Sequence, residues 1–314
     1  MATGTTIPLM HGPPAQRLRR VATYASVTVA AVLIAAKFAA WLETGSVALL
    51  SSLVDSLLDA AASLVNLLAV RHAMTPADRE HRFGHGKAEP LAVLGQSAFI
   101  TGSAMLLLAE AVRRLISPSP IENATAGIAV VVFSIVLTIG LVAYQRHVVR
   151  RTGSIAISAD ELHYRSDLVL NLSVIAALVL GSAFDLPLLD PLFGGAIGVW
   201  IVYSAVRLAR LSLFQLMDHE LPDDEREKIR EIAQSHPDVA AAHDLRTRVA
   251  GPTAFIQIHI EMDGAISLIR AHEISDEVEA ELRAAYPHAE VIIHQDPEGI
   301  EEPRSCFPRR AVAR

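Results

Sequence analysis

The sequence predicts an all-α six-helix transmembrane bundle followed by a small cytoplasmic α+β domain. Three observations carry that prediction. Hydrophobic residues make up 52% of the 314 and charged residues only 19%, where soluble domains carry roughly 25% as charges; mean hydropathy is +0.36. Six apolar stretches each approach or exceed the ~20 residues that a helix needs to cross the hydrocarbon core. Acidic residues crowd the last third of the chain, behind those runs. The net charge of -7 offers no basic field for nucleic acid. The single cysteine, Cys306, cannot form an intramolecular disulfide and fits a reducing compartment.

The predicted spans are 21–42, 45–71, 90–112, 125–145, 157–182 and 186–208. Gly45 separates the first two, Pro118 and Pro120 follow the third, and Pro187 and Pro191 lie near the start of the sixth. The fifth is the least apolar, because Asp160, Glu161, His163, Arg165 and Asp167 crowd its first half. The first span has the basic front of a signal peptide, but five further spans argue against that reading. A short segment, 1–20, precedes the 21–208 membrane domain, and a soluble domain, 209–300, is followed by a polar tail, 301–314.

Orientation follows from basic residues in short loops. Arg17, Arg19 and Arg20 precede the first span, Arg71, Arg79, Arg82 and Lys87 follow the second, and Arg146, Arg150 and Arg151 follow the fourth. Arg207 and Arg210 close the sixth, and only Arg113 and Arg114 fall on the other side. Both termini are therefore expected in the cytoplasm.

Two pairs of ligand-type side chains interrupt the apolar spans. Asp55 and Asp59 stand four apart in SLVDSLLDA, so both carboxylates share a helix face about one turn apart. His163 and Asp167 repeat the spacing in the fifth span; Asp160, one turn before His163, is ambiguous between a role there and a place near the interface. Ionisable groups at membrane depth mark ion pathways, although protonated acids bonding helix to helix have the same sequence. Three carboxylates and one imidazole make a shell suited to tetrahedral Zn²⁺ and acceptable to other first-row divalent ions. Metal needs ionised Asp and neutral His, so metal binding expels protons and protonation expels metal. His163, with an ordinary pKa near 6.5, is the expected main proton carrier.

The loop after the second span places Asp78, His81 and His85 three and four residues apart, a spacing that fits a metal site or a solvated loop equally well. Beyond 209 the pattern reads αββαβ: a helix from Asp223 closed by Pro237, strands AAHDLRTRVA and TAFIQIHIEM around a Gly251-Pro252 turn, a helix over 266–286, and the strand EVIIH. Ile256, Ile258 and Ile260 alternate with polar residues, and Ile274, Val278 and Leu282 share one helix side. The domain holds five further ligand-type residues, His243, His259, His272, His294 and Asp296.

From about residue 20 to 300 the chain resembles the cation diffusion facilitator family, in its bacterial zinc and iron efflux branch. SLVDSLLDAAASLVNLLAVR, HRFGHGKAE, LHYRSD, AHDLRTR, QIHIEM and VIIHQDP carry the resemblance. It implies a homodimer in the plasma (bacterial inner) membrane, each protomer with six helices and a metallochaperone-like cytoplasmic domain. It implies Zn²⁺ efflux by exchange for protons, with Cd²⁺ or Fe²⁺ as further substrates, and no catalytic cofactor. A transport site of Asp55, Asp59, His163 and Asp167 follows from it, as do a loop site of Asp78, His81 and His85 and a binuclear site of His243, His259, His272, His294 and Asp296. In those further sites Zn²⁺ is a structural or regulatory ion. Lys87 and Asp218 match positions that form a salt bridge near the family's dimer interface.

Other readings predict other features. A metallohydrolase needs an open coordination position and a general base, and no H-E-x-x-H signature is present. A membrane-anchored metal sensor has no need of four ligands inside the bundle. A passive metal channel differs in lacking proton exchange.

Overall fold

The computed structural model describes residues 13–44, 47–116, 128–184, 189–251 and 253–300. Gly45, Pro118, Pro120, Pro187, Pro252, Cys306 and the segments before 13 and after 300 lie outside the described residues. Six long helices come first: α1 (Pro13–Thr44), α2 (Val47–Ala73), α3 (Ala88–Ile116), α4 (Ile128–Thr152), α5 (Ile155–Phe184) and α6 (Leu189–Leu216). They are followed by α7 (Asp223–Ser235), β1 (Ala241–Ala250), β2 (Thr253–Met262), α8 (Leu268–Ala285) and β3 (Glu290–Pro297). The chain divides into two compact units, one running to His219 together with Val249–Thr253, the other comprising Glu220–Arg248 and Ala254 onward.

Among the described residues, α1, α2, α3, α4 and α6 are long and apolar enough to cross a membrane. The remaining long helix, α5, concentrates its charges before Leu168; Leu168–Phe184 holds no Asp, Glu, Lys or Arg. Three helices clearly outrun the apolar pattern, α1 beginning at Pro13, α4 reaching Thr152 and α6 reaching Leu216. Hydropathy ends a span where apolar composition ends, but the backbone ladder continues into polar sequence. In α4 that extension places Arg150 and Arg151 in the last turn, where positive charge suits the helix dipole. Pro191 falls in the first turn of α6, where its missing N–H breaks no bond.

Small residues decide how closely the helices approach. α3 and α6 form the most extensive helix pair, and α6 offers Gly194, Gly195 and Gly198 to that seam. A Cβ built on Gly198 lies 2.8 Å from Leu108 Cδ2, so glycine there admits the α3 leucine. The apolar core around this seam contains Val93, Ile100 and Ala104 of α3, Ala156, Ala159 and Leu162 of α5, and Ile201, Ala205 and Leu208 of α6. Leu57, Leu64, Leu106 and Val136 instead point outward and are exposed, as befits helices whose solvent is lipid.

Buried polar side chains fix α5. Glu89, from the HGKAE stretch, accepts hydrogen bonds from Ser154 Oγ at 2.5 Å and from the Ala156 N–H at 3.2 Å. It thereby satisfies an otherwise unpaired donor in the first turn of α5. Arg19 stands 3.6 Å from the same carboxylate and donates to the Thr152 carbonyl at 2.8 Å. Asp160 is fully buried. Its carboxylate is hydrogen-bonded to Ser26 of α1, to Ser63 of α2 at 3.2 Å and to Gln145 of α4 at 2.7 Å. Four helices thus meet at one side chain three residues before His163.

In the second unit the sheet order is β1-β2-β3, with β2 and β3 parallel. Ile256, Ile258 and Ile260 of β2 are buried against a core that includes Ile274, Val278 and Leu282 of α8. Ser267 caps α8 by accepting from the Arg270 N–H at 3.2 Å. The last strand runs to Pro297 rather than ending at His294, and this brings Asp296 into register opposite Glu261.

Candidate metal centres

Among the described residues, three groups of imidazoles and carboxylates gather closely enough to share an ion, each with offered ligand atoms within 4.8 Å of one another. The first lies between α2 and α5. His163 Nε2 is 2.9 Å from Asp59 Oδ1 and 3.8 Å from Asp167 Oδ2. Ligands around tetrahedral zinc stand about 3.3 Å apart, given bonds of ~2.0 Å, so these separations bracket the value that a shared ion needs. The imidazole is buried and packs near the rings of Phe99 and Tyr164, at centroid distances of 6.3 and 5.5 Å. The group opens onto a cavity of about 320 Å³ whose lining includes Asp55. Asp55 lies outside the close set of three, one turn earlier on α2.

The same cavity is lined by Lys37 of α1, which spacing alone does not reveal. Its ammonium donates to Ser56 Oγ at 2.7 Å and to the Ser52 carbonyl at 3.2 Å. The available signal is a single lysine in the run AVLIAAKFAAWLE, since a lone charge at membrane depth rarely lacks a role.

The second group occupies the irregular chain between α2 and α3. Asp78 Oδ1 accepts from the backbone N–H groups of His81 at 2.6 Å and Glu80 at 2.9 Å. Those bonds, led by that of His81, hold its carboxyl below the usual range. His81 Nδ1 and His85 Nε2 each stand 3.3 Å from an Asp78 oxygen. Gly84, at φ 76°, makes the intervening turn. His72, at the end of α2, sets its ring 4.5 Å from that of His85 and adds an imidazole that the loop motif omits. Nearby, Lys87 Nζ pairs with Asp218 at 3.0 Å.

The third group converges on Asp296, which is 2% exposed. Its Oδ2 lies 3.0 Å from both His243 Nε2 and His259 Nδ1, and its Oδ1 lies 3.2 Å from His294 Nε2. Burial pushes this carboxyl up, but the hydrogen bond and charge of His259, with His243 and His294, hold it below its ordinary value. Parallel register sets His259 beside His294. Two further carboxylates flank the group: Glu261 is 2.9 Å from His243 Nδ1, and Asp244 is 3.7 Å from His259 Nε2. Asp244 has φ 43°, a left-handed conformation that aspartate tolerates better than most residues. His272 is not brought to the group; it is exposed on α8 and stands 3.6 Å from Asp276. Donors of this kind fit a borderline divalent ion in both water-facing groups.

Long apolar helices joined to a small α+β unit, with imidazole–carboxylate groups of the kind that hold metal ions in each, define a multi-pass membrane protein. Residues 23–217 match the family model of the cation efflux transmembrane domain, and 221–298 match that of the cation efflux protein cytoplasmic domain. The chain belongs to the cation efflux family, the cation diffusion facilitators, and is a cation efflux transporter rather than an enzyme. The cation-efflux pump FieF of Serratia proteamaculans is 50% identical over 285 residues, 91% of this chain and 95% of that protein. The FieF pump of Shewanella oneidensis is 50% identical over 282 residues, 90% of this chain and 95% of its own. A solved structure of the putative zinc transporter CzrB in its Zn form is 37% identical, covering 27% of this chain and 98% of that one at a TM-score of 0.26.

Proposed function

We propose that this transporter exports Zn²⁺ from the cytoplasm in exchange for protons, with Cd²⁺ and Fe²⁺ as further substrates. In this reading Asp55, Asp59, His163 and Asp167 bind the ion in transit. The observation that carries it is the 2.9 Å approach of His163 Nε2 to Asp59 across the α2–α5 gap. One nitrogen faces two carboxylates there, so a proton on Nε2 and a metal ion among the three compete for one place. Proton arrival turns the nitrogen lone pair into a donor toward Asp59 and removes it as a ligand. Proton departure restores it. Alternating exposure of the cavity to the two sides of the membrane then couples the two fluxes.

Within the same proposal Asp78, His81 and His85 hold an ion in the loop, and His243, His259, His294 and Asp296 hold ions in the cytoplasmic domain. These ions are structural or regulatory, and the cytoplasmic domain joins two copies of the chain into a homodimer with both termini in the cytoplasm of a bacterial inner membrane. Residues 21–208 then form the membrane domain and 209–300 the cytoplasmic one.

The test is reconstitution in liposomes carrying a metal dye and a pH dye inside. Zn²⁺ entry with matched proton exit, lost in Asp59→Ala, is the expected result. Zn²⁺ entry with no proton counterflow indicates a channel and refutes the exchange.

A further inference from the structure

We propose that Lys37 is a fixed counter-charge of the transport site, setting how tightly the site holds a divalent cation and how readily it lets go. The inference rests on the reading of Asp55, Asp59, His163 and Asp167 as that site. Lys37 sits on α1, seven residues before its end at Thr44. An intramembrane lysine with no internal task turns its head toward the nearest interface. This one reaches across to α2, where its ammonium donates to Ser56 Oγ at 2.7 Å and the Ser52 carbonyl at 3.2 Å. Ser52, Asp55, Ser56 and Asp59 follow one another at helical spacing, so the two anchors lie along the α2 face that carries both carboxylates. Lys37, Asp55, Asp59, His163 and Asp167 all line one cavity.

An ammonium has no lone pair and cannot ligate a metal; its contribution is charge. Three carboxylates and a divalent ion sum to one negative charge, beside a neutral imidazole. Lys37 brings that sum to zero, the state favoured where water is scarce. With the ion gone, the same lysine offsets part of the carboxylate charge left behind. It therefore weakens the loaded state relative to the empty one and speeds release. Lys37 acts on the site through its charge and is not a ligand.

The test measures KM and maximal rate for Zn²⁺ in proteoliposomes containing the full chain. Lys37→Met and Lys37→Gln both remove the charge, while glutamine retains a donor for Ser56. Each is expected to lower KM by about tenfold, the order of effect of one charge acting on a divalent ion through a partly screened cavity. Both are expected to lower the maximal rate as well, because release slows. Lys37→Arg retains the charge and is expected to retain a KM close to wild type. A packing or hydrogen-bonding role alone does not lower KM. The proposal is overturned if the two neutral variants keep the wild-type KM, or if Lys37→Arg shifts KM as far as they do. Asp59→Ala in the same assay separates the two levels: surviving transport refutes the site itself, whereas an inactive Asp59→Ala beside an unchanged Lys37→Met refutes only the counter-charge.

Discussion

His163 reaches Asp59 across a gap between two helices, whereas His243, His259 and His294 gather on Asp296 at the end of a sheet whose register already fixes β2 against β3. The ligand chemistry is nearly the same and the support is not. α2 and α5 touch along a much shorter stretch than α3 and α6, and the side chains between them face a cavity rather than a packed core. What holds them together is a handful of polar bonds, such as Ser63 to Asp160 and Asn66 to the Ala156 carbonyl, rather than a long packed seam. The Asp296 group is held by backbone ladder bonds and by the buried isoleucines of β2 beneath it. Moving those imidazoles apart means dismantling the sheet. A site that must take up and release its ion suits the first kind of support, and an ion that stabilises a domain suits the second.

Substitutions that treat the two groups alike test this contrast. His163→Ala is expected to cut metal transport more than the roughly 10–100-fold typical of losing an outer partner of a ligand, since in the proposed site it removes a ligand itself. Asp296→Ala is expected to release the domain's metal, read by equilibrium dialysis, while transport falls less than in His163→Ala. Similar transport losses for both dissolve the distinction. Gly198→Leu sharpens it from the rigid side of the bundle. The added side chain meets Leu108 on α3, starting from a Cβ 2.8 Å away, and is expected to cost about 1–3 kcal/mol as overpacking. Thermal unfolding in detergent reads that loss, and an unchanged midpoint shows that the α3–α6 seam yields.

Smaller effects belong to the soluble unit. Ser267→Ala removes the cap of α8 and is expected to cost about 1 kcal/mol, measured by hydrogen exchange along that helix. Glu277 accepts from His236 Nε2 at 2.8 Å. That bond, with Arg270 nearby, holds its carboxyl below the ordinary 4.5. A depressed folded-state pKa supplies stability that is complete above 4.5 and disappears as pH falls through the lowered value. Glu277→Gln is therefore expected to weaken α8 protection at neutral pH, with the gap from wild type closing as the pH falls through the lowered value. A gap independent of pH contradicts the assignment.

Much of this was legible in the residues because local rules govern it. Alternation in TAFIQIHIEM gives β2 its buried isoleucines, and four-residue spacing puts His163 and Asp167 on one helix face. What local pattern cannot supply is the partner across space. Asp160 is an ambiguous acid one turn before His163 until Ser26, Ser63 and Gln145 from three other helices converge on it. Glu89 is one acid in a loop motif until Ser154 and Ala156 arrive to be capped. Lys37 is a stray charge in an apolar run until α2 presents Ser52 and Ser56. The extension of β3 that carries Asp296 into place depends on pairing with β2, which EVIIH alone does not encode.

The most direct test of the central claim is Zn²⁺ flux into proteoliposomes under an imposed proton gradient, compared among wild type, Asp59→Ala and Asp296→Ala. The account predicts coupled flux in the wild type, none in Asp59→Ala, and reduced but still proton-coupled flux in Asp296→Ala. Sustained flux in Asp59→Ala alongside its loss in Asp296→Ala would contradict it, because the ion would then move through the group assigned to holding the domain together.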